Sequence, residues 1–178
     1  FNKKSDYKKY PKSIKRDSSI LKKLKVDYLY LPSERQIYPN GINKKIKIST
    51  VEKILCGKFR PGHFKAVVDV IDRFIKIIRP KKIYFGEKDM QQLKIIDHFI
   101  RKNHKDVKVV GCKTIRDGSG VAYSSRNLLL TPKQKTIASK VYKFIKNKKN
   151  FLIKDRSKIK KSKKKILNLG VNKIEYLK

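Results

Sequence analysis

Val67, Val70, Ile71, Phe74, Ile75 and Ile78 recur at helical spacing with charged residues between them, and Pro80 stands just beyond. That stripe predicts an amphipathic helix closed by the proline. Leu93, Ile96, Phe99 and Ile100 form a second stripe, predicting a helix from near Asp89 to about Asn103. Between the two lies a strand-type run, Lys82-Ile83-Tyr84-Phe85, and residues 107–112 read as another strand of the buried type. Strand, helix and strand at this spacing predict βαβ units and a parallel sheet.

The flanks are patterned more sparsely. The first ten residues are polar and irregular. Residues 12–25 predict a basic helix with Ile14, Ile20, Leu21 and Leu24 on its apolar face. Residues 26–31 predict a strand stopped by Pro32. Asn40-Gly41 marks a turn, and Ile46 and Ile48 suggest a short strand. Ser49-Thr50 predicts a capped short helix through Leu55, ended by Gly57. Beyond Ile115 come a two-glycine loop, then a helix opened by Thr131 as N-cap and Pro132 in its first turn. It is expected to run to about Lys146. Residues 146–165 hold a lysine run over a weak helical pattern, and residues 174–177 suggest a terminal strand. A domain boundary is expected near Ile115: residues 1–115 as an α/β domain, residues 116–178 as a small, mainly helical one.

Composition bounds the function. A chain of 178 residues that is 39% apolar has room for one medium domain, with or without a small second one. No apolar run approaches the roughly 18 residues that read as a membrane span, and no signal peptide is visible. No membrane association is expected, and a reducing cytoplasm is the default. Cys56 and Cys112 stand apart, so neither a disulfide framework nor a zinc site is expected. Phe1 opens the chain and Met90 is its single methionine, so a processed, trimmed or partial sequence is expected.

The net charge of +35 invites a nucleic-acid reading. Forty of the 49 basic residues are lysine, however, spread along polar helix faces, whereas base recognition leans on arginine. Solvated surface charge accounts for them, with non-specific polyanion binding at low salt. A lysine-rich nucleic-acid-binding module stays as the alternative. It would need interleaved aromatics, and the 146–165 run holds Phe151 alone.

Candidate chemistry gathers at Phe85-Gly86-Glu87-Lys88-Asp89-Met90-Gln91-Gln92-Leu93. Strand–glycine–helix turns sit at the carboxyl edge of α/β sheets, where ligands bind. Gly86 is expected to use backbone angles closed to other residues and to let a ligand approach the main chain. The helix N-terminus favours phosphate, and Lys88, Asp89 and Gln92 are spaced to share one face. A cation, a carboxylate and an amide there suit a phosphorylated, hydroxyl-bearing ligand.

The full string resembles the signature of the pantothenate synthetase family, ATP-dependent ligases that join pantoate to β-alanine. Ile37-Tyr38-Pro39-Asn40-Gly41, Arg60-Pro61-Gly62-His63-Phe64 and Ser124-Ser125-Arg126-Asn127 resemble further family motifs in the same order, as do Tyr10-Pro11, Val26-Asp27 and Leu55-Cys56-Gly57. The resemblance weakens over residues 146–178. It implies a Rossmann-like parallel sheet of the nucleotidyltransferase type with a partial C-terminal lid domain. It also implies ATP contacts from Gly86, Glu87, Lys88, Asp89, Ile115, Tyr123, Ser124, Ser125 and Arg126, and a pantoate contact from Gln92. Lys88 and Arg126 would stabilise the phosphates during transfer, gripping one triphosphate across a single cleft. Magnesium would arrive with ATP, no side-chain metal site being expected, and the intact family enzymes are typically dimeric. Another nucleotidyltransferase of the same superfamily is a further alternative, against which Gln92 argues.

The departures are specific. The family's His-x-Gly-His motif, which carries its catalytic histidine, lies upstream of everything present, as does a second pantoate-contacting glutamine. None of His63, His98 or His104 replaces that motif, and His104 reads as a plain helix-end residue. Ser119-Gly120 stands where the family has Asp-Gly, Tyr123 replaces an aliphatic residue or methionine, and most of the C-terminal sheet is missing. Little or no ligase activity is expected from this chain alone.

Overall fold

The computed structural model describes residues 10, 11 and 13–177, the side chain of Arg156 excepted. The expectations for residues 1–9 and for a helix start at Lys12 fall outside the described residues. The chain divides after Cys112 into two units, Phe1–Cys112 and Lys113–Lys178.

In the first unit, α1 (Ile14–Lys23) starts where Ser13 Oγ accepts from the Arg16 N–H at 3.3 Å. Helix α2 (Glu34–Ile37) has a reciprocal cap between Ser33 and Gln36. A 3-10 turn (Thr50–Lys53) and the short helix α3 (Cys56–Phe59) lead to α4 (His63–Ile78). Then follow β1 (Lys82–Gly86), a 3-10 turn (Glu87–Asp89), α5 (Met90–Asn103) and β2 (Lys108–Cys112).

Strands β1 and β2 are parallel, with Lys82 opposite Lys108 and Gly86 opposite Cys112. Along β1, Ile83 and Phe85 turn toward the core while Lys82, Tyr84 and Gly86 stay exposed. Ile95, Ile96, Phe99 and Ile100 of α5 pack with Phe64, Val68 and Ile75 of α4 and with Ile46. Removing each such side chain from water stabilises the unit by about 1.5–3 kcal/mol before entropy is counted. This β1–α5–β2 crossover delivers residues 86–92 to the sheet's carboxyl edge.

The second unit holds a 3-10 turn (Ser125–Leu129), α6 (Pro132–Lys154), another 3-10 turn (Arg156–Lys158) and α7 (Ile159–Asn168). Thr131 Oγ1 accepts from the Gln134 N–H while Gln134 Oε1 accepts from the Thr131 N–H, and Pro132 fills the first turn.

Several expectations fail, each for lack of a partner or a stop. Residues 26–31 join no ladder; Tyr28 is 92% exposed and Tyr30 meets Phe74 edge-on at 6.2 Å. A strand-type run does not make a strand without neighbouring backbone to pair with. Residues 46–48 and 174–177 likewise form no strand, although Ile46 is buried in the core. Strand β2 is half-buried at Val109 and Val110 and exposed elsewhere, so it is covered on less than both faces. Helix α6 continues eight residues past Lys146 because lysine is a good helix former. Half-buried Leu152 also extends the stripe of Val141, Phe144 and Ile145. Gly57 does not end a helix; it sits inside α3.

Candidate active site

Gly86 closes β1 with φ −71 and ψ 130, an extended conformation any residue adopts. The expected permissive backbone is therefore not used. What glycine supplies is room: a Cβ there would meet nothing within 4 Å. Glu87 is half-buried and braces the sheet, its Oε1 3.5 Å from where a Gly111 Cβ would stand. Lys88 and Asp89 are exposed, and Gln92 is half-buried in the first turn of α5. Asp89 occupies the N-cap position without capping through its side chain, so its carboxylate is not consumed by the helix it precedes.

The Arg60–Phe64 motif adjoins this turn. Gly62 takes φ +76 to start α4, a left-handed angle that favours glycine. Burial and then the charge of Arg60 hold the His63 imidazole below its ordinary value, against an opposing pull from Asp89.

Gln91 was assigned no role from sequence, yet its amide is fully engaged. Its Oε1 accepts from the Cys56 N–H at 3.0 Å, and its Nε2 donates to the Val51 and Ile54 carbonyls, both at 2.8 Å. The loop it holds is tightly wound. Leu55 has φ +50, a conformation costing about 1–3 kcal/mol for a non-glycine residue. A Cβ at Gly57 would stand 1.6 Å from the Glu52 carbonyl oxygen. The one available signal was the tandem glutamine: side chains about 100° apart on a helix point to different neighbours.

In the second unit, Tyr123 N–H donates to the Ile115 carbonyl at 3.1 Å, placing two predicted ATP contacts side by side; both side chains are mostly exposed, at 64% and 68%. Ser124 Oγ accepts from the Arg126 N–H at 3.3 Å, and Asn127 Nδ2 donates to the Ala122 carbonyl at 2.9 Å. Ser125 is half-buried and Arg126 exposed.

Beneath that loop lies a polar turn. Asp117 Oδ1 accepts from Ser119 Oγ at 2.6 Å and from the Ser119 and Val121 N–H groups at 2.9 and 3.0 Å. These bonds, the Ser119 hydroxyl first, hold the Asp117 carboxyl below its ordinary value. Ser119 is thus a donor to the neighbouring carboxylate. Ser139 Oγ donates to the Ser119 carbonyl at 2.7 Å. Arg116 donates to the Gly120 carbonyl at 3.1 Å and lies 4.0 Å from the centre of the Tyr142 ring. Gly120 has φ +89, and a Cβ there would stand 2.4 Å from that ring.

The predicted residues thus form two groups, 86–92 in the first unit and 115–126 in the second. An open cleft of about 530 Å³ in the first unit contains none of them; Asn40–Lys45 and the α4 residues Asp69, Asp72, Arg73 and Lys76 line it. Its acids are already satisfied. Asp69 accepts from Arg73 Nε at 2.7 Å and from the Asn43 N–H at 2.9 Å. Arg73 also donates to the Ile37 and Gly41 carbonyls, both at 2.8 Å, pinning the Ile37–Gly41 motif to α4. His104 is no plain helix end: its Nε2 pairs with Asp72 Oδ1 at 2.7 Å, and Lys76 Nζ meets Asp72 Oδ2 at 2.6 Å. His98 is exposed on α5. Phe151, the aromatic of the lysine run, is approached by Lys148 at 5.5 Å and Lys158 at 3.9 Å.

The pantoate–β-alanine ligase family model matches residues 1–178. A pantothenate synthetase of Thermosipho melanesiensis is 36% identical over 180 residues, covering 99% of this chain and 64% of that protein. One from a Sulfurihydrogenibium species is 39% identical, covering 80% of this chain and 51% of that protein. The Francisella tularensis pantoate–β-alanine ligase, solved with β,γ-ATP and β-alanine, superposes with a TM-score of 0.86 at 35% identity, over 100% of this chain and 67% of that one. The Thermus thermophilus enzyme gives a TM-score of 0.76 at 35% identity, over 82% and 53%. The chain therefore spans about half to two thirds of the length of these relatives. By sequence and by fold, the chain belongs to the pantoate–β-alanine ligase family.

Proposed function

We propose that this chain carries ATP- and pantoate-binding parts of a ligase that condenses pantoate with β-alanine. The observation that carries the reading is the turn after β1. There Lys88, Asp89 and Gln92 lie within one turn of a helix N-terminus beside the open space over Gly86. Lys88 neutralises phosphate oxygens, Asp89 accepts from ribose hydroxyls, and Gln92 donates to the pantoate carboxylate or accepts from its hydroxyl. Residues 1–115 supply these contacts, and residues 116–178 act as a partial lid. Ile115 contributes main-chain contacts to adenine, while Tyr123, Ser124, Ser125 and Arg126 contact the phosphates.

In the first step the pantoate carboxylate attacks the α-phosphorus of ATP, forming pantoyl adenylate and releasing pyrophosphate. In the second, the β-alanine amine attacks the activated acyl carbon and AMP leaves. The substrates bring their own nucleophiles, so the protein's contribution is positioning and charge stabilisation, with Lys88 and Arg126 as the cations assigned to the phosphates. Among the described residues, no cluster of three or more His, Cys, Asp or Glu side chains could hold a metal ion. Magnesium at this site would take its oxygens mainly from the triphosphate and water. The intact enzyme works as a cytoplasmic homodimer in this reading.

Titrating the chain with a non-hydrolysable ATP analogue across a salt series tests the proposal. Retained affinity at high salt is expected of a shaped pocket; collapse parallel to that of an oligonucleotide would favour the polyanion reading. Pantoate- and β-alanine-dependent AMP release should be weak or absent, since neither exposed His98 nor Asp72-paired His104 supplies the family's histidine motif. Robust turnover would overturn that part.

A further inference from the structure

We infer that Gln91 is a positioning residue: its amide locks the residue 51–56 loop to the start of α5 and so sets the wall beside Gln92 and Asp89. This rests on the pantoate role proposed for Gln92. Gln91 uses both donors and its acceptor on one loop, and two of those bonds fall on either side of Leu55, the residue at φ +50. An unfavourable backbone angle persists where its surroundings over-determine it, and here the bracket is one side chain. The loop continues through α3 into Arg60 and His63, whose imidazole senses both Arg60 and Asp89. Releasing Gln91 would loosen the segment that leads into His63. It would leave Lys88 on its own turn and the β1–α5 core intact. Pantoate binding should therefore suffer more than ATP binding.

Gln91→Met removes all three bonds at similar length. Gln91→Glu keeps the acceptor for Cys56 but sets a carboxylate against two carbonyl oxygens. Both variants should keep wild-type helix content by circular dichroism. Amide exchange at Cys56 should quicken about tenfold or more, a net hydrogen bond or two being worth about that factor. By NMR, the His63 imidazole should titrate closer to its ordinary value. Pantoate affinity should fall about tenfold while affinity for the ATP analogue changes less than about threefold.

A Cys56 amide that exchanges as fast as an open loop in the unmodified chain would refute the lock without any variant. Unchanged exchange and an unchanged His63 titration in folded Gln91→Met would refute it too. A broken lock with unaltered pantoate affinity would leave Gln91 structural and overturn the positioning role. If the unmodified chain binds neither pantoate nor the ATP analogue, the proposed function fails, and exchange and titration still judge the lock.

Discussion

Residues 86–92 rest on a strand and a helix whose inward faces are hydrocarbon, whereas residues 115–126 rest on a turn of carboxylate, hydroxyl and amide groups. In the first region Lys88 and Gln92 are placed by where Phe85, Leu93 and Ile96 pack. In the second, Asp117 gathers three donors and Ser139 and Tyr142 of α6 fix Ser119 and Gly120. Packing is non-directional and strong in aggregate, while hydrogen bonds are directional and individually modest. The first region should therefore fail by losing its core, and the second by losing one angle or one bond.

The sharpest break is Ile96→Ala. Ile96 is 0% exposed, and truncation of such a residue costs about 2–5 kcal/mol. Urea unfolding should report that loss in the first unit; a cost under about 1 kcal/mol would mean the 86–92 turn is not core-positioned. Next comes Gly120→Ala, which forces a Cβ to φ +89 against the Tyr142 ring. A loss of about 1–3 kcal/mol is expected, with amide shifts spreading to Ser124 and Arg126; unperturbed shifts there would detach the loop from the turn.

Third, the Asp72 pairing should give the first unit an acid-sensitive joint. Burial pushes the Asp72 carboxyl up, but the bonds from Lys76 and His104 together bring it below its ordinary 3.8. A depressed folded value means the stabilisation is full above about 3.8 and is lost as pH falls through the folded value. Asp72→Asn should flatten that part of the stability–pH curve, and an unchanged curve would exclude the pair as its source. The smallest effect belongs to Ser119→Ala, which removes the hydroxyl bond to Asp117. The Asp117 carboxyl should titrate closer to its ordinary value by NMR while unfolding hardly moves.

Much of the first region was legible from spacing alone. The α4 and α5 stripes, Pro80 as a stop, and the β1–α5–β2 order follow from periodicities that local sequence carries. Residues 26–31 show where that ends: a run of valine, leucine and tyrosine has strand-type composition, but pairing depends on backbone elsewhere. Gly86 was singled out for angles it does not adopt, because sequence does not say whether a glycine supplies φ or space. The roles of Gln91 and His104 were not legible, since partners of theirs lie 35 and 32 residues away, beyond the reach of any window. In the second unit the Thr131-Pro132 start was readable, while the reach of α6 to Lys154 was blurred by a lysine run whose helical pattern is weak. The Ser119 donation to Asp117 was hidden for another reason: a missing carboxylate does not announce which donor has replaced it.

Calorimetric titration of a non-hydrolysable ATP analogue into the chain and its Lys88→Ala and Arg126→Ala variants, at fixed ionic strength, reaches the centre of the account. Each substitution should weaken binding by about 10- to 100-fold, the range for losing a charge-assisted phosphate contact, with folding unchanged. Wild-type affinity in either variant would contradict the phosphate contact proposed for that residue.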